Sequence, residues 1–470
     1  MSNSNFSDLR RRIKGQVFTP SDSGFNDIAF GGLWNEFRPS RHPQLIVRVT
    51  NDGDVIETVK FARSNRLKVV VRGGGHNWCA PSLRKSGIMI DLHNLNRVVS
   101  VDPKARKAVL EPIISNRDAI KALSKYGLAY PTGHCPEVKL SGYLLSGGMS
   151  WNQGAWGSGI GSVEAIEMVT PEGKLITASN NENPDYFWAA RGAGPGLFAV
   201  ALRYHLKLYP LPKAIAFSTY YYPIESLVDV AEWLDSISPN LSNNVELSFF
   251  LLHAPPELID KCQANRGKVS MITATAFAET PEEAKRALDP LEKCPLLSKC
   301  LSKTVCKPTN FEQLFDASGA LWPPQLRNQV DAMFSNAKLP ELFGAVVDHF
   351  LAAPSKLGLL LFAVFTGKDV PAKLPEAAFS MSAKFYGGPW TMWESSSDDE
   401  ANVAWHRKCV ELLEPHVIGH YVSESNTARY PQYAEHAYSK ANWERLTKLR
   451  EKYDPSGVFF GYSDGLSETV

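Results

Sequence analysis

The chain has 470 residues, of which 44% are hydrophobic and 21% charged, and its formal net charge at pH 7 is +1. This composition is that of an ordinary globular protein, long enough for two or three domains. The positive charges form no basic stripe, so nucleic acid is not an expected partner. The longest apolar run, Leu357 to Phe365, is far shorter than the roughly 20 residues that a membrane-spanning helix needs. No membrane association is therefore expected.

The N-terminal run and the cysteines also narrow the class of protein. The opening residues, MSNSNFSDLRRRIKGQ, lack the apolar stretch of a secretory signal, and we expect a cytoplasmic protein. Seven cysteines, an odd number in a long chain, do not indicate a disulfide framework. Cys294, Cys300 and Cys306 are evenly spaced but form no Cys-x-x-Cys pair, so no metal site is expected.

The first 211 residues predict strands and helices separated by glycine-rich segments. Thr50 or Asn51 is expected to cap a helix whose first turn carries Asp52 and Asp54. The other predicted elements are strands at 68–71, 87–92 and 107–113, a helix at 117–126, a hairpin across 163–178, a short helix at 186–190 and a strand in the second half of 191–210.

The composition and the pattern of predicted elements change at Pro210 and Pro212, and we place a domain boundary there. Residues 213–420 hold far fewer glycines and alternate strands with helices, which predicts an α+β fold. Strands are expected at 270–278 and 357–365, helices at 281–291 and 398–414, and a charged amphipathic helix from Asn442 to Tyr453.

The run VVVRGGGHNW, residues 69–78, is the most informative segment. A predicted strand leads into three glycines, which allow backbone N–H groups to approach an anion because no Cβ intervenes. His76 then places a nucleophilic nitrogen just beyond the loop. By itself the pattern fits an anion-binding loop and a tight turn with a satisfied histidine equally well.

A second glycine-rich stretch, residues 131–157, carries a single cysteine, Cys135. Its glycines make a loop whose backbone donors can surround a pyrophosphate or a flavin ring. For Cys135 taken alone, a core thiol is the more common role.

Four motifs in this order resemble the berberine-bridge-enzyme-like branch of the vanillyl-alcohol-oxidase flavoprotein superfamily. They are matched in turn by Arg72, Gly73 or Gly74, Gly75 and His76; by Gly133, Cys135, Pro136 and Val138, followed by Gly142, Leu145, Gly147 and Gly148; by Arg191, Gly192, Gly194, Phe198 and Val200; and by Asn442, Trp443, Arg445, Leu446, Lys452, Tyr453, Asp454, Pro455, Val458 and Phe459.

The resemblance implies an α+β, two-lobed fold. Residues 1–211 would form a PCMH-type FAD-binding domain, 212–420 a substrate domain with an antiparallel sheet and helices above the flavin, and 421–470 a C-terminal segment returning to the FAD domain. It also implies a flavin held by two covalent bonds, through His76 and Cys135. The cofactor-binding set is Arg72, Gly73, Gly74, Gly75, His76, Asn77, Gly133, Cys135, Val138, Gly142, Gly147, Gly148 and Val200.

In the resembled family, the residue three beyond the cysteine controls access of oxygen to the flavin. A small valine there is typical of oxidases and a bulkier leucine of dehydrogenases. This residue is Val138 here, so O2 is the expected electron acceptor.

The chain also departs from the family pattern. Lys139 and Ser141 replace glycines in the second motif. The Lys139 side chain either faces an anionic phosphate or substrate or extends into solvent, and solvent is the commoner outcome for a lysine. The family's E-P-Y-G-G or H-x-G-G strand, which often brings a base, is matched to residues 363–367, which offer no ionisable group before Thr366.

The catalytic base therefore has three candidates, Tyr421, Glu424 and His134. Residues 421–424 are predicted to be a strand, in which Tyr421 and Glu424 would face opposite sides. For Glu424, a solvent-facing side chain is more common than a catalytic one. For Tyr421, the alternative to acting as the base is to position the substrate. An aromatic wall or core packing is expected of Trp78, Tyr386, Trp390 and Trp393.

The sequence thus predicts an FAD-dependent oxidase that takes a hydride from a small alcohol, amine, sugar or secondary metabolite and gives hydrogen peroxide. A dehydrogenase or oxidative cyclase of the same family and a catalytically inactive flavoprotein remain as alternatives. A nicotinamide-dependent enzyme is excluded because the Gly-rich run 192–196 follows a helix and precedes a strand, the reverse of the order required. The sequence indicates no oligomeric state.

Overall fold

The structure is a computed structural model that describes residues 3–466. Residues 3–210 form eleven strands: β1 (Gln16–Phe18), β2 (Leu45–Arg48), β3 (Val69–Arg72), β4 (Ile88–Asp91), β5 (Val98–Asp102), β6 (Lys107–Leu110), β7 (Leu128–Ala129), β8 (Val163–Val169), β9 (Leu175–Ser179), β10 (Val200–Lys207) and β11 (Tyr209–Pro210). The helices of this part are α1 (Asn3–Arg12), α2 (Phe25–Gly31), α3 (Asp52–Ser64), α4 (Asn116–Ser124), α5 (Leu140–Leu145), α6 (Gln153–Trp156) and α7 (Pro184–Ala190).

The remaining described residues form the other elements. Their strands are β12 (Ala214–Pro223), β13 (Val245–His253), β14 (Lys268–Ala278), β15 (Ser302–Thr309), β16 (Arg327–Val330), β17 (Met333–Ser335), β18 (Leu359–Val364), β19 (Phe385–Trp393) and β20 (Gly419–His420). Their helices are α8 (Leu227–Ile237), α9 (Pro281–Leu288), α10 (Phe311–Leu321), α11 (Leu339–Leu351), α12 (Asp399–Leu413), α13 (Tyr433–His436) and α14 (Lys440–Tyr453). The elements expected in both halves are confirmed, with shifts of a few residues at their ends.

Two larger sheets, and a two-stranded sheet of β7 and β11, build the described residues up to Pro210. The first has the order β1-β2-β4-β3, in which β4 runs parallel to both β2 and β3. The second is antiparallel, with the order β5-β6-β10-β8-β9. Helix α3 begins where the side chain of Asn51, rather than Thr50, accepts a hydrogen bond from the Asp54 N–H. Because parallel strands end at the same edge of a sheet, the glycine loop after β3 is held at a fixed place.

A large antiparallel sheet follows, in the order β15-β12-β14-β13-β18-β19-β17-β20, with β16 also paired to β19. Helices α8, α9, α11 and α12 pack on it, and their apolar side chains share one buried core with the sheet. The expected α+β, two-lobed fold is confirmed. Among residues 3–466, no helix is long and apolar enough to cross a membrane.

The C-terminal residues return to the first sheet. The Val69 N–H donates to Val458 O at 2.6 Å, and the Phe460 N–H donates to Val69 O at 3.0 Å, so this segment lies beside β3. Leu446 and Leu449 of α14 enter the same core as the first two sheets. The boundaries at residues 211 and 420 stay a prediction.

Candidate active site

A cavity of about 1020 Å³ lies where the two glycine-rich loops meet the large sheet and the turn after β20. Its walls carry most of the residues singled out from the sequence. Those present are Gly73, Gly74, Gly75, His76, Asn77, Gly133, His134, Cys135, Val138, Gly142, Tyr421 and Glu424.

The loop after β3 presents a row of backbone donors. The N–H groups of residues 73–77 donate to no acceptor within the described chain. Gly75 has a φ of +69°, and a Cβ there would overlap the Gly32 carbonyl oxygen, so only glycine is accommodated. Consecutive unbonded amides in a half-buried loop fit the charge and geometry of a pyrophosphate. The loop therefore fits the diphosphate of FAD.

Arg72 supports this loop from outside the cavity. Its Nη2 donates to Asp91 Oδ2 at 2.9 Å, and its Nη1 donates to the carbonyl oxygens of Ile28 and Ala29. The side chain is only 3% exposed and does not line the cavity. The sequence assigned Arg72 to the cofactor. In the structure Arg72 bonds to other residues of the protein and holds the glycine loop in place.

His76 is held against an aromatic ring that the motifs did not reveal. Its imidazole stacks on Trp34 at 4.8 Å between ring centroids, and the Trp34 N–H donates to Gly75 O at 3.1 Å. Burial lowers the pKa of His76 to about 4, and the positive charge of Lys139 contributes. The imidazole is neutral at pH 7 and keeps a nucleophilic nitrogen.

Cys135 lies on the second loop and lines the same cavity. The Asn116 side chain donates to its carbonyl oxygen at 3.1 Å, which fixes the loop. Burial raises the pKa of the Cys135 thiol to about 12, and the negative charges of Glu424 and Glu137 add to the effect. A thiol so placed is protonated at neutral pH and needs a base before it can react.

The other cofactor candidates divide between the cavity and the packing beneath it. Space around Gly142 is open, and Val138 lines the cavity. Gly147 and Gly148 do not line it; added Cβ atoms would meet the Phe379 and Tyr143 rings at 2.7 and 3.0 Å. The Val200 side chain is instead buried in the core of the first two sheets, and its neighbours Ala199 and Ala201 line the cavity.

Tyr421 and Glu424 both face the cavity, which corrects the predicted strand. Strand β20 ends at His420, and the chain then turns, with the Glu424 N–H donating to Tyr421 O at 2.9 Å. The turn brings both side chains to the same side, whereas an extended strand would separate them. Asn77 holds this turn, since its Nδ2 donates to Ser423 O at 2.7 Å.

Tyr386 completes an acidic cluster with these two residues. Its hydroxyl donates to Glu424 Oε2, and its ring meets Tyr421 edge to face at 5.6 Å. Burial raises the pKa of Glu424 to about 7, while the hydrogen bond from Tyr386 and the charge of His134 act in the opposite direction. A carboxyl with this pKa exchanges a proton readily at neutral pH.

His134 is engaged with a residue that the sequence analysis missed. Its Nε2 contacts Glu246 Oε1, its ring packs on Trp151 at 4.2 Å, and Glu246 Oε2 accepts the Asn152 N–H at 2.9 Å. The imidazole is therefore oriented by a carboxylate of β13. No local motif marked Glu246, because its role depends on packing against a loop about a hundred residues earlier.

The aromatic candidates also separate. Tyr386, Trp78 and Trp390 line the cavity, whereas Trp393 packs on Phe37 away from it. The family strand expected at residues 363–367 is better matched by Tyr386-Gly387-Gly388 on β19, a signal visible in the sequence. Thr366 only donates to backbone carbonyl oxygens.

Known proteins are similar to this chain in sequence and in fold. The FAD binding domain family matches residues 43–179. The FAD-linked oxidoreductase janO of Penicillium janthinellum is 28% identical over 91% of this chain and 92% of its own. The structure of 6-hydroxy-D-nicotine oxidase from Arthrobacter nicotinovorans superposes with a TM-score of 0.82 at 23% identity, covering 96% of this chain and 98% of its own.

A third similarity concerns the grass pollen allergen Phl p 4. Its wild-type isoform 4.0202, a glucose dehydrogenase, has a TM-score of 0.81 at 17% identity over 100% of both chains. A variant of the allergen with one isoleucine replaced by valine is a glucose oxidase. At this identity the likeness establishes the fold alone.

Fold, glycine loops and relatives together define an FAD-binding oxidoreductase. Residues that fit the cofactor line one wall of the cavity, and an acidic cluster lines another. The chain carries an FAD binding domain and is similar over most of its length to FAD-linked oxidoreductases, and its fold is that of 6-hydroxy-D-nicotine oxidase and of the BBE-like 1 protein of Physcomitrella patens.

Proposed function

We propose that this protein is an oxidase that carries FAD covalently through His76 and Cys135, removes a hydride from a small organic substrate, and uses O2 as the electron acceptor. The observation that carries the proposal is the shared cavity: both tether candidates and the Glu424–Tyr386 pair line it. FAD, when bound, supplies the hydride acceptor and passes the electrons on to oxygen as hydrogen peroxide.

The chemistry of the two tether candidates supports double attachment. A neutral His76, fixed by Trp34, offers one nucleophilic atom to the cofactor. Cys135 offers a second, and the Glu424 carboxylate whose charge it feels is a nearby acceptor for its proton. Both groups lie within the same cavity as the unbonded amides of residues 73–77.

Proton removal from the substrate is assigned to Glu424. Its pKa of about 7 leaves a large ionised fraction at neutral pH, and that form accepts the O–H or N–H proton as hydride leaves carbon. Tyr386 orients the carboxylate by donating to it. Tyr421, edge-on to Tyr386, is placed to contact substrate, and the His134–Glu246 pair lines the adjoining wall.

Val138 supports the choice of oxygen as acceptor. It is a small residue that lines the cavity three residues beyond Cys135. In Phl p 4, one isoleucine-to-valine replacement accompanies the change from a glucose dehydrogenase to a glucose oxidase. A dehydrogenase or oxidative cyclase on this fold is the alternative, and it predicts reduction of an artificial dye without peroxide.

The alternative of a catalytically inactive flavoprotein depends on the lack of an ionisable group, and so of a base, at residues 363–367. The buried Glu424–Tyr386 pair supplies one on neighbouring elements and so favours an active enzyme. The enzyme class is therefore proposed with Glu424 as its base.

The decisive experiment is acid precipitation of the wild type and of the His76→Ala, Cys135→Ala and double variants, with visible spectra of pellet and supernatant. Colour that stays in the wild-type pellet and is fully released only from the double variant supports two tethers. A peroxide-coupled screen of alcohols, amines and sugars then tests oxidase activity. Colour released from the wild type contradicts covalent attachment, and electron transfer to dye alone contradicts the oxidase assignment.

A further inference from the structure

Lys139 stands where the resembled family has a glycine, and the structure places it inside the cavity. It is half-buried, it lines the cavity wall, and it precedes α5. Its aliphatic stem crosses the glycine loop so closely that a Cβ on Gly74 would overlap Lys139 Cγ. The stem of Lys139 therefore follows the glycine loop along the cavity wall.

The Lys139 ammonium makes no hydrogen bond or ion pair with the described residues. Two carboxylates face the same cavity, but Glu424 accepts from Tyr386 and Glu246 contacts His134. A partly desolvated cation without a partner is unfavourable, so a ligand that brings a permanent negative charge would stabilise this arrangement.

The location of the stem identifies which anion fits. Lys139 packs on Gly74, which belongs to the row of unbonded N–H groups of residues 73–77. Its charge also reaches His76, since it contributes to the lowered pKa of that imidazole. Backbone amides and a lysine that line one cavity together offer the donors and the positive charge that a diphosphate requires.

We propose that the Lys139 ammonium pairs with the pyrophosphate of FAD and neutralises charge that the backbone amides of residues 73–77 only partly compensate. The replacement of glycine by lysine thus adds a charged contact to the cofactor. The proposal rests on FAD as cofactor and is independent of which substrate is oxidised or which acceptor is used.

The test measures binding of ADP, which has the pyrophosphate but no flavin, to the full chain carrying His76→Ala and Cys135→Ala. In this background Lys139→Gln is expected to weaken ADP binding about tenfold, the size of one charged hydrogen bond. Adenosine binding should not change, and Lys139→Arg should restore most of the ADP affinity. ADP binding should also lose part of its dependence on salt, because one screened charge pair is gone.

Lys213→Gln is the matched control, since it removes the same charge from an exposed lysine that pairs with Glu279. Thermal unfolding of every variant identifies any loss of folding. If Lys139→Gln is unstable, the ADP affinity of Lys139→Arg still tests the proposal. The proposal is overturned by unchanged ADP affinity in Lys139→Gln, by an equal loss of adenosine affinity, or by a parent that does not bind ADP.

A midpoint potential measured on the covalent holoenzyme separates the pyrophosphate from the flavin ring. If Lys139→Gln leaves ADP affinity intact and lowers the potential, the charge faces the ring and the pyrophosphate assignment fails. None of these readouts requires turnover, so their failure leaves the oxidase proposal to its own test.

Discussion

Glu424 and Tyr386 show how far an environment can move a side chain from its ordinary chemistry. Burial favours the neutral carboxyl, and the hydrogen bond from Tyr386 favours the carboxylate; burial is the larger effect, and the pKa of Glu424 rises to about 7. The same burial raises the pKa of Tyr386 well above its usual value, so the tyrosine remains a donor. The pair is therefore suited to hold and release one proton.

Replacing Glu424 with glutamine should lower kcat/KM by about 10²–10⁴-fold, the usual contribution of a general base. In the wild type, kcat/KM should fall as the pH drops below about 7, because the protonated carboxyl cannot accept a proton. The variant should lose this limb of the pH profile. Glu246→Gln is the matched control, since Glu246 contacts His134 rather than Tyr386. A wild-type limb that persists in Glu424→Gln would exclude Glu424 as the base.

Tyr386→Phe should move the acid limb of the profile to higher pH. The tyrosine hydroxyl stabilises the ionised carboxylate, so its removal raises the pKa of Glu424 further. Activity near pH 7 should fall by about threefold to tenfold, in keeping with one hydrogen bond, and recover at alkaline pH. Loss of activity that is the same at every pH would instead indicate a direct role in substrate contact.

Val138→Leu should slow reoxidation by O2 without slowing reduction of the enzyme by substrate. The larger side chain fills cavity space that the valine leaves open. Stopped-flow measurement of the two half-reactions checks this, with electron transfer to an artificial dye as the control. If reduction slows and reoxidation does not, Val138 contacts substrate rather than controlling oxygen.

Short loops, rather than long helices, place the reactive groups. The loop after β3 presents the amides of residues 73–77 and then His76, and it depends on Gly75 at φ +69°. The turn after β20 brings Tyr421 and Glu424 together and is held to the first loop by Asn77. The two loops are thus coupled by a direct hydrogen bond.

Gly75→Ala should abolish FAD retention, because the added Cβ overlaps the Gly32 carbonyl and the loop must move. Gly127→Ala is the matched control: Gly127 has a similar φ of +66° with nothing within 4 Å, so it carries only the conformational cost of about 1 kcal/mol. The ratio of flavin absorbance to protein absorbance measures retention. Equal losses in both variants would mean that backbone strain, and not the overlap, governs the loop.

At the scale of the whole molecule, the cavity exists because the large sheet lies against the two glycine loops. The core around the first two sheets includes Phe277, Phe311 and Phe315, which follow Pro210 in the chain. It also includes Val458 and Phe459 from the C-terminal segment. Distant parts of the chain therefore share one core beneath the cofactor site.

Phe459→Ala should lower the free energy of unfolding by about 3–5 kcal/mol, the usual effect of removing a buried phenylalanine. Its side chain is 2% exposed and lies beside β3, so flavin retention should fall as well. Urea unfolding measures the change, and Tyr126→Ala, at 52% exposure, should cost little. Unchanged stability would show that the C-terminal segment does not support the first sheet.

The sequence by itself determined most of the elements, and the resemblance of its motifs to a flavoprotein family implied the cofactor class and the fold class. This was possible because the signals are local: glycines at set spacings encode the loop backbone, and hydrophobic periodicity encodes strands and helices. His76, Cys135 and the unbonded amides of residues 73–77 all belong to the two glycine-rich motifs, and they line the cavity as expected.

Only the tertiary structure decided which groups meet. Tyr386 and Glu424 are 38 residues apart, and their contact depends on a turn where a strand was predicted. His134 contacts Glu246, which is 112 residues away in the chain, and Trp34 stacks on His76. No sequence motif predicts either contact. The direction of the Lys139 side chain likewise follows from its packing on Gly74. Such contacts are set by how the sheets and loops pack in three dimensions, which the local sequence does not encode.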